Sequence, residues 1–192
     1  GLQLGRDVTA LCGRPCGFLP SSRILAPPVG KMLREQPPFR LAFLGRWHPN
    51  KGTDLLLEAL GRLNDEDWTR IEAVRIFGGG PLESDVKKTT ARLTSSGRPV
   101  IVGGYLDQDG ARDLFSWADY VMIPSRIESI PVVFSDALQM NCPVIAMPVG
   151  DLPALIGNNR CGICARSVAS LSFADAVRQA LHTPPHRFET GM

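Results

Sequence analysis

Short apolar runs alternate with amphipathic segments along most of the chain. Residues 40–44 form an apolar run closed by Gly45, which is typical of a buried strand, and residues 53–63 then carry leucine and alanine at helical spacing. The same alternation predicts further strands at 73–77, 100–102, 120–123 and 144–146, and helices at 81–93, 110–117, 130–139 and 171–181. Strands separated by helices form parallel sheets covered on both faces. The pattern therefore predicts an α/β fold, a Rossmann-like doubly wound parallel sheet in a single domain.

The beginning of the chain differs, because turn-forming residues interrupt it repeatedly. Residues 1–22 are predicted to be an irregular lead-in or interdomain segment, and a short extended piece follows at 23–26. The domain is accordingly assigned to residues 23–183 and a C-terminal tail to residues 184–192. The chain has no initiator methionine, which predicts a processed or truncated protein.

The composition and charge of the chain argue against several classes of protein. The chain has 192 residues, of which 44% are hydrophobic and 21% charged, so it can bury the core of one medium-sized domain. A net charge of +2 without a basic tract argues against a dedicated nucleic-acid-binding protein. No apolar run reaches about 18 residues, and residues 1–16 lack the pattern of a secretory signal. We therefore expect a cytoplasmic protein without a membrane span.

Five cysteines are an odd number and too few for a disulfide-rich secreted scaffold, which favours reduced thiols. Cys161 and Cys164 have the spacing of a metal-binding pair, and Cys12 and Cys16 would complete a set of four zinc ligands. The alternative is a short buried strand in which cysteine acts as a small apolar residue. The apolar residues around the pair favour this alternative.

Candidate binding residues follow the first predicted strand. In a doubly wound sheet, ligands bind at the carboxyl ends of strands, where loops lead into helix N-termini. Segment 45–52 begins with Gly45 and places Arg46 and Lys51 at such a point, which suits a phosphate. Two ordinary surface cations in a solvated loop would give the same pattern. The segment is not a P-loop, because the G-x-x-x-x-G-K-[ST] order is absent.

Three glycines, Gly78 to Gly80, follow the second predicted strand. Gly79 and Gly80 would let a ligand approach the backbone closely, and Pro81 is predicted to occupy the first turn of the next helix. A tight turn without a ligand explains the glycines equally well.

Two acidic residues follow the strand predicted at 120–123. Glu128 lies just before a predicted helix, where it either caps the helix or contacts a ligand. Asp136 comes eight residues later, inside the helix among apolar neighbours, where aspartate is unfavourable unless it has a partner. The hydroxyls of a sugar or a ribose would suit this carboxylate. Free N–H groups of Ser129 and Ile130 would meet oxygen atoms of the same ligand.

Several of these segments resemble, in order and spacing, the family 4 (group 1) glycosyltransferases, namely 45–52, 78–81, 118–125, 128–136 and 143–146. The resemblance covers residues 23–181. It implies an enzyme of carbohydrate biosynthesis with the GT-B fold, in which two Rossmann-like domains enclose the active site. This chain resembles only the C-terminal domain, which binds a nucleotide diphosphate sugar such as a UDP- or GDP-sugar. The resemblance also implies retention of the anomeric configuration and no requirement for a metal ion or other cofactor.

The resemblance assigns roles to individual residues. Arg46 and Lys51 would stabilise the departing phosphate, and Glu128 would contact the donor sugar near the reacting carbon. Asp136 would contact the ribose, although it stands where the family has glutamate. The amides of Ser129 and Ile130 would hold sugar and phosphate oxygens, and Gly45, Gly79 and Gly80 would line the donor site. Ala154 stands where the family often has a glutamate that follows two glycines.

The fragment is expected to be inactive alone, because the acceptor domain would lie in a missing N-terminal half. Any contact with the inner membrane would be peripheral and made through that half. Two alternatives remain open at this point. One is a non-catalytic Rossmann module that binds a nucleotide or a protein partner, and the other is a GT-B sugar-nucleotide epimerase or phosphorylase.

Overall fold

The structure is a computed structural model that describes residue 31 and residues 33–188. The predicted lead-in at 1–22, the extended piece at 23–26 and the cysteines Cys12 and Cys16 lie outside these residues. The strands are β1 (Phe39–Arg46), β2 (Ile71–Gly79), β3 (Val100–Gly103), β4 (Tyr120–Ile123), β5 (Val144–Ala146) and β6 (Gly162–Cys164). The α-helices are α1 (Thr53–Gly61), α2 (Asp65–Thr69), α3 (Glu83–Ser95), α4 (Gln108–Trp117), α5 (Val132–Gln139), α6 (Leu152–Asn159) and α7 (Ser170–Leu181). Short 3-10 helices lie at Pro49–Lys51 and Pro185–Arg187.

The six strands form one parallel sheet in the order β3-β2-β1-β4-β5-β6. This order confirms the predicted α/β doubly wound fold. The chain first builds outward from β1 to β3, then returns to place β4 on the other side of β1, with Leu41 opposite Tyr120. The loops after β1 and β4 therefore diverge from neighbouring strand ends, which is where doubly wound sheets bind their ligands.

Two of the helix starts that differ from the sequence predictions have identifiable local causes. The helix predicted at 130–139 begins at Val132, because Pro131 is extended (ψ 141°) and forms its N-cap. The helix predicted at 81–93 begins at Glu83, so the expectation that Pro81 occupies its first turn is wrong. The Leu82 N–H donates instead to the carbonyl of Trp47, which keeps residues 81 and 82 in a turn.

Two short helices, α2 and α6, were not expected from the apolar pattern. α2 has only five residues, and its stability at the N-terminus comes from a capping box between Asn64 and Asp67. Residues Gly162–Cys164 form β6, directly after the buried Cys161, which confirms the interpretation of this segment as a short strand.

The core lies between the sheet and its helices and includes the end of the described chain. Tyr120 in β4 is fully buried, packs edge-on against Phe39 and Phe188, and donates a hydrogen bond from its hydroxyl to the carbonyl of Thr183. Burial raises the pKa of Tyr120 well above its ordinary value. Thr183 and Phe188 thus attach residues 183–188 to Tyr120, in a central strand of the sheet. Within the described part of the chain, no helix has the length and apolar character needed to cross a membrane.

Candidate functional site

A cavity of about 190 Å³ opens at the carboxyl ends of β1 and β4. The loop after β1 contributes Lys51 to its wall, and the loop after β4 contributes Ser125 and Glu128. Gly45 forms part of the floor, together with apolar side chains such as Phe43 and Met122. A small group of polar side chains on an otherwise apolar concave surface is typical of a ligand-binding site.

The polar centre of this cavity is an ion pair between Lys51 and Glu128. The Lys51 Nζ donates a hydrogen bond to Glu128 Oε1, and the Ser125 hydroxyl donates to the same oxygen at 3.0 Å. The Glu128 side chain is only 10% exposed, whereas that of Lys51 is 40% exposed. Glu128 makes no capping contact with α5, whose N-cap is Pro131, so the capping interpretation of Glu128 is wrong. The carboxylate instead points at the ammonium group of the neighbouring loop.

Arg46 lies at the rim, at the last position of β1, and its side chain is exposed. Among residues 33–188, no side chain or carbonyl accepts a hydrogen bond from its guanidinium, and no carboxylate lies within ion-pair distance. The site thus combines one cation already neutralised by Glu128 with a second cation that is available to an anionic ligand.

The three glycines at the end of β2 lie beside this rim rather than in the cavity. Gly78 has φ +148°, and a Cβ at this position would lie 1.9 Å from the carbonyl oxygen of Gly45. The close packing of the ends of β1 and β2 therefore requires a glycine here. Gly79 pairs in register with Arg46, and Gly80 packs on the backbone of Trp47. Neither Gly79 nor Gly80 lines the cavity around Glu128.

Tyr105, which is not among the residues predicted from the sequence, lies against this turn. Its hydroxyl donates to the carbonyl of Gly79 at 2.8 Å, while 72% of the residue is exposed. A Cβ at Gly79 would lie 2.6 Å from the tyrosine ring, so the ring occupies the space that glycine leaves. The signal in the sequence is an aromatic residue just after a strand, at the same edge of the sheet.

The backbone around Glu128 is braced by the loop after β5. Gly150 has φ +55°, and a Cβ there would lie 2.1 Å from the carbonyl oxygen of Glu128. The Asp151 N–H donates to the carbonyl of Ser129 at 3.3 Å. Among the described residues, no backbone carbonyl accepts a hydrogen bond from the N–H groups of Ser129 and Ile130, and both residues lie just before Pro131, the N-cap of α5. They remain candidates for contacts with ligand oxygens.

Asp136 is fully buried inside α5, one turn beyond the residues that line the cavity. The structure therefore does not bring it together with Lys51 and Glu128 on one exposed surface. Its contact with a ribose stays a prediction.

The described cysteines do not form a metal site. Cys142, Cys161 and Cys164 are free thiols, and the first two are buried. Burial raises the pKa of Cys142 to about 11 and raises the pKa values of Cys161 and Cys164 as well. No cluster of three or more His, Cys, Asp or Glu residues suited to a metal ion occurs between residues 33 and 188. The zinc hypothesis also required Cys12 and Cys16, which lie outside the described residues.

Known proteins resemble this chain in both sequence and fold. The family model for "Glycosyl transferases group 1" matches residues 38–183. A D-inositol 3-phosphate glycosyltransferase from Corynebacterium aurimucosum is 30% identical over 154 residues, which are 79% of this chain and 37% of the relative. An alpha-D-kanosaminyltransferase from Streptomyces kanamyceticus is 27% identical over 145 residues, which are 76% of this chain and 37% of the relative. The chain thus spans just over a third of the length of these curated relatives.

Two solved structures illustrate the similarity of the fold. A mutant of TarM from S. aureus, in complex with ligands that include UDP, superposes with a TM-score of 0.72 at 18% identity, covering 100% of this chain and 38% of that one. HepE from Anabaena, in complex with UDP and glucose, gives a TM-score of 0.60 at 20% identity, covering 74% of this chain and 38% of that one.

Proposed function

The chain belongs to the group 1 glycosyltransferases, and from this premise we propose that it is the nucleotide-sugar-binding domain of a retaining glycosyltransferase. The observation that carries the proposal is the Lys51–Glu128 pair in a cavity between β1 and β4, with the exposed Arg46 at its rim. The UDP in the TarM and HepE complexes supports a nucleoside diphosphate as the ligand. We propose a UDP- or GDP-sugar as the donor.

In the proposed reaction, the bond between the anomeric carbon of the sugar and a diphosphate oxygen breaks, and the same carbon bonds to an acceptor oxygen. The electron pair of the broken bond stays on the diphosphate, which also takes up the proton of the acceptor hydroxyl. Negative charge therefore grows on the departing phosphate, and cations held nearby stabilise that charge. Arg46 can donate two parallel hydrogen bonds, whereas Lys51 acts as a compact point charge. In this proposal they take the place of a divalent metal ion.

Glu128 is the proposed partner of the donor sugar. Its carboxylate already accepts two hydrogen bonds, from Lys51 and Ser125, and these fix its position at the cavity wall. A carboxylate so placed can accept hydrogen bonds from sugar hydroxyls, while the amides of Ser129 and Ile130 donate to sugar or phosphate oxygens. Asp136 is the proposed ribose contact, which requires α5 to shift because the residue is fully buried.

The acceptor site is proposed to lie in a second, N-terminal domain. The chain spans just over a third of its curated relatives, and sugar transfer needs a closed cleft that orients the acceptor and excludes water. We expect negligible transfer by the chain alone. The free thiols of Cys142, Cys161 and Cys164 support a reducing, cytoplasmic location for the intact enzyme.

Titration calorimetry of the chain with UDP and with GDP tests the proposal. We expect saturable binding of one of the two nucleotides at micromolar to millimolar concentration, without added metal ion. The absence of heat with both nucleotides at millimolar concentration, with the fold intact by circular dichroism, would contradict the proposed function. In the intact enzyme, unchanged turnover after Glu128→Ala would favour a module that only binds.

The exposed ring of Tyr105 leads to a separate prediction about the nucleobase. A base bound beside Gly79 would stack on this ring, and stacking of a base on an aromatic side chain contributes about 1–3 kcal/mol. We therefore expect Tyr105→Ala to weaken nucleotide binding by at least about fivefold. Tyr105→Phe keeps the ring and loses only the hydrogen bond to Gly79, so it should retain most of the affinity. Equal losses in the two variants would show that the hydroxyl, and not the ring, matters.

A further inference from the structure

The two loops that carry Lys51 and Glu128 are held together by a second residue pair, Arg126 and Asp54. Arg126 lies in the loop after β4, two residues before Glu128, and Asp54 lies in the first turn of α1, three residues after Lys51. The two guanidinium nitrogens donate to the two carboxylate oxygens at 2.7 and 2.6 Å, in a two-pronged contact. This hydrogen bonding lowers the pKa of Asp54 and raises that of Arg126.

Arg126 also contacts the two residues that precede Lys51 in the chain. Its guanidinium donates to the carbonyl of Pro49 at 2.7 Å, and its backbone N–H donates to the carbonyl of Asn50 at 2.9 Å. Arg126 thus contacts residues 49 and 50 before Lys51 and residue 54 after it. The short segment that carries the ammonium group cannot move away from the loop after β4 without breaking some of these bonds.

We propose that Arg126 and Asp54 are positioning residues that fix the distance between Lys51 and Glu128 and thereby prepare the phosphate site. The inference rests on the proposed function, since it concerns the same site. Both side chains lie outside the cavity lining, so they act through Lys51 and Glu128 rather than on the ligand itself. Arginine suits this role better than lysine, because only its planar fork can contact both carboxylate oxygens and a carbonyl.

A positioning role of the Arg126–Asp54 pair differs from a role in stabilising the whole fold. A second ion pair of similar exposure provides a control that distinguishes the two roles. The Arg126–Asp54 side chains are 33% and 42% exposed, and ion pairs of this exposure contribute little to stability. The Arg62–Glu58 pair at the C-terminal end of α1 has similar exposures, 44% and 53%, and does not line the cavity. Removing either pair should therefore change the melting temperature by a similar, small amount.

The first experiment measures nucleotide affinity. We expect Arg126→Ala and Asp54→Asn each to weaken binding of UDP or GDP, whichever the unmodified chain binds, by about tenfold, while Arg62→Ala leaves the affinity unchanged. Unchanged affinity in both Arg126 and Asp54 variants would overturn the inference and leave the proposed function standing. If the unmodified chain binds neither nucleotide, the proposed function fails and the inference fails with it.

The second experiment observes Lys51 directly and needs no nucleotide. Reductive methylation with ¹³C keeps the lysine charge and gives each lysine an NMR signal, and the signal of Lys51 is identified by its loss in Lys51→Arg. We expect Arg126→Ala to move this signal toward that of a solvated lysine, because the ammonium group leaves Glu128. Arg62→Ala should leave it in place. A Lys51 signal that does not respond to Arg126→Ala would contradict the positioning role, even if nucleotide affinity falls.

Discussion

Replacing Lys51 with alanine is expected to weaken the binding of a nucleoside diphosphate by about 10- to 150-fold. Hydrogen bonds to charged groups contribute about 1.5–3 kcal/mol each, and the substitution removes one that Lys51 would make to the phosphate. It also leaves Glu128, 10% exposed, without its cation, so that its negative charge repels the diphosphate. Titration calorimetry with UDP and GDP measures the loss.

A second lysine provides the control for this prediction. Lys87 forms an ion pair with Glu83 on α3, its side chain is 66% exposed, and it does not line the cavity around Glu128. Lys87→Ala removes the same charge from the chain, so it reports any general effect of net charge on nucleotide affinity. Equal losses for Lys51→Ala and Lys87→Ala would mean that Lys51 does not contact the phosphate.

Replacing Gly52 with alanine is expected to destabilise the fold by about 3 kcal/mol and to abolish nucleotide binding. Gly52 has φ +67°, which L-residues adopt only with strain, and a Cβ there would lie 1.8 Å from the carbonyl oxygen of Pro124. The overlap is with backbone, which cannot rotate away as a side chain can. One of the two loops must therefore move, and Lys51 then separates from Glu128. Urea denaturation measures the free energy of unfolding, and calorimetry measures the binding.

A substitution at Gly97 distinguishes backbone strain from steric overlap as the cause of the destabilisation expected for Gly52→Ala. Gly97 has φ +77°, but nothing lies within 4 Å of a Cβ built at this position. Gly97→Ala therefore adds backbone strain without overlap, and we expect it to cost about 1 kcal/mol and leave binding intact. If Gly52→Ala and Gly97→Ala cost the same free energy and bind nucleotide equally, the contact between Gly52 and Pro124 does not organise the site.

The sheet could be predicted from sequence because its central strands are buried on both faces. β4 and β5 begin and end where the apolar pattern places them, since each is a run of fully buried side chains bounded by polar or turn residues. α2 escaped prediction because a five-residue helix has no apolar periodicity. Its signal was local, in the capping box between Asn64 and Asp67.

The candidate site was predicted only in its parts. The sequence placed Arg46, Lys51 and Glu128 after strands, but it did not reveal which strands are neighbours. The contact between Lys51 and Glu128 depends on β4 lying beside β1, which is a property of the whole sheet. The same holds for Tyr105, which reaches Gly79 because β3 pairs with β2. Arg126 carried no signal of its own, since an isolated arginine in a loop is usually a surface residue.

The strand order also determines when the cavity can form during synthesis of the chain. Lys51 and Glu128 are separated by 77 residues, and the strand that brings them together, β4, is made only after β1, β2 and β3. A nascent chain that ends between residues 52 and 119 contains Arg46 and Lys51 but lacks β4 and the loop that carries Glu128. Arg46 and Lys51 therefore emerge from the ribosome well before Glu128, the carboxylate that neutralises Lys51. During this interval, Lys51 carries its charge without its counter-ion.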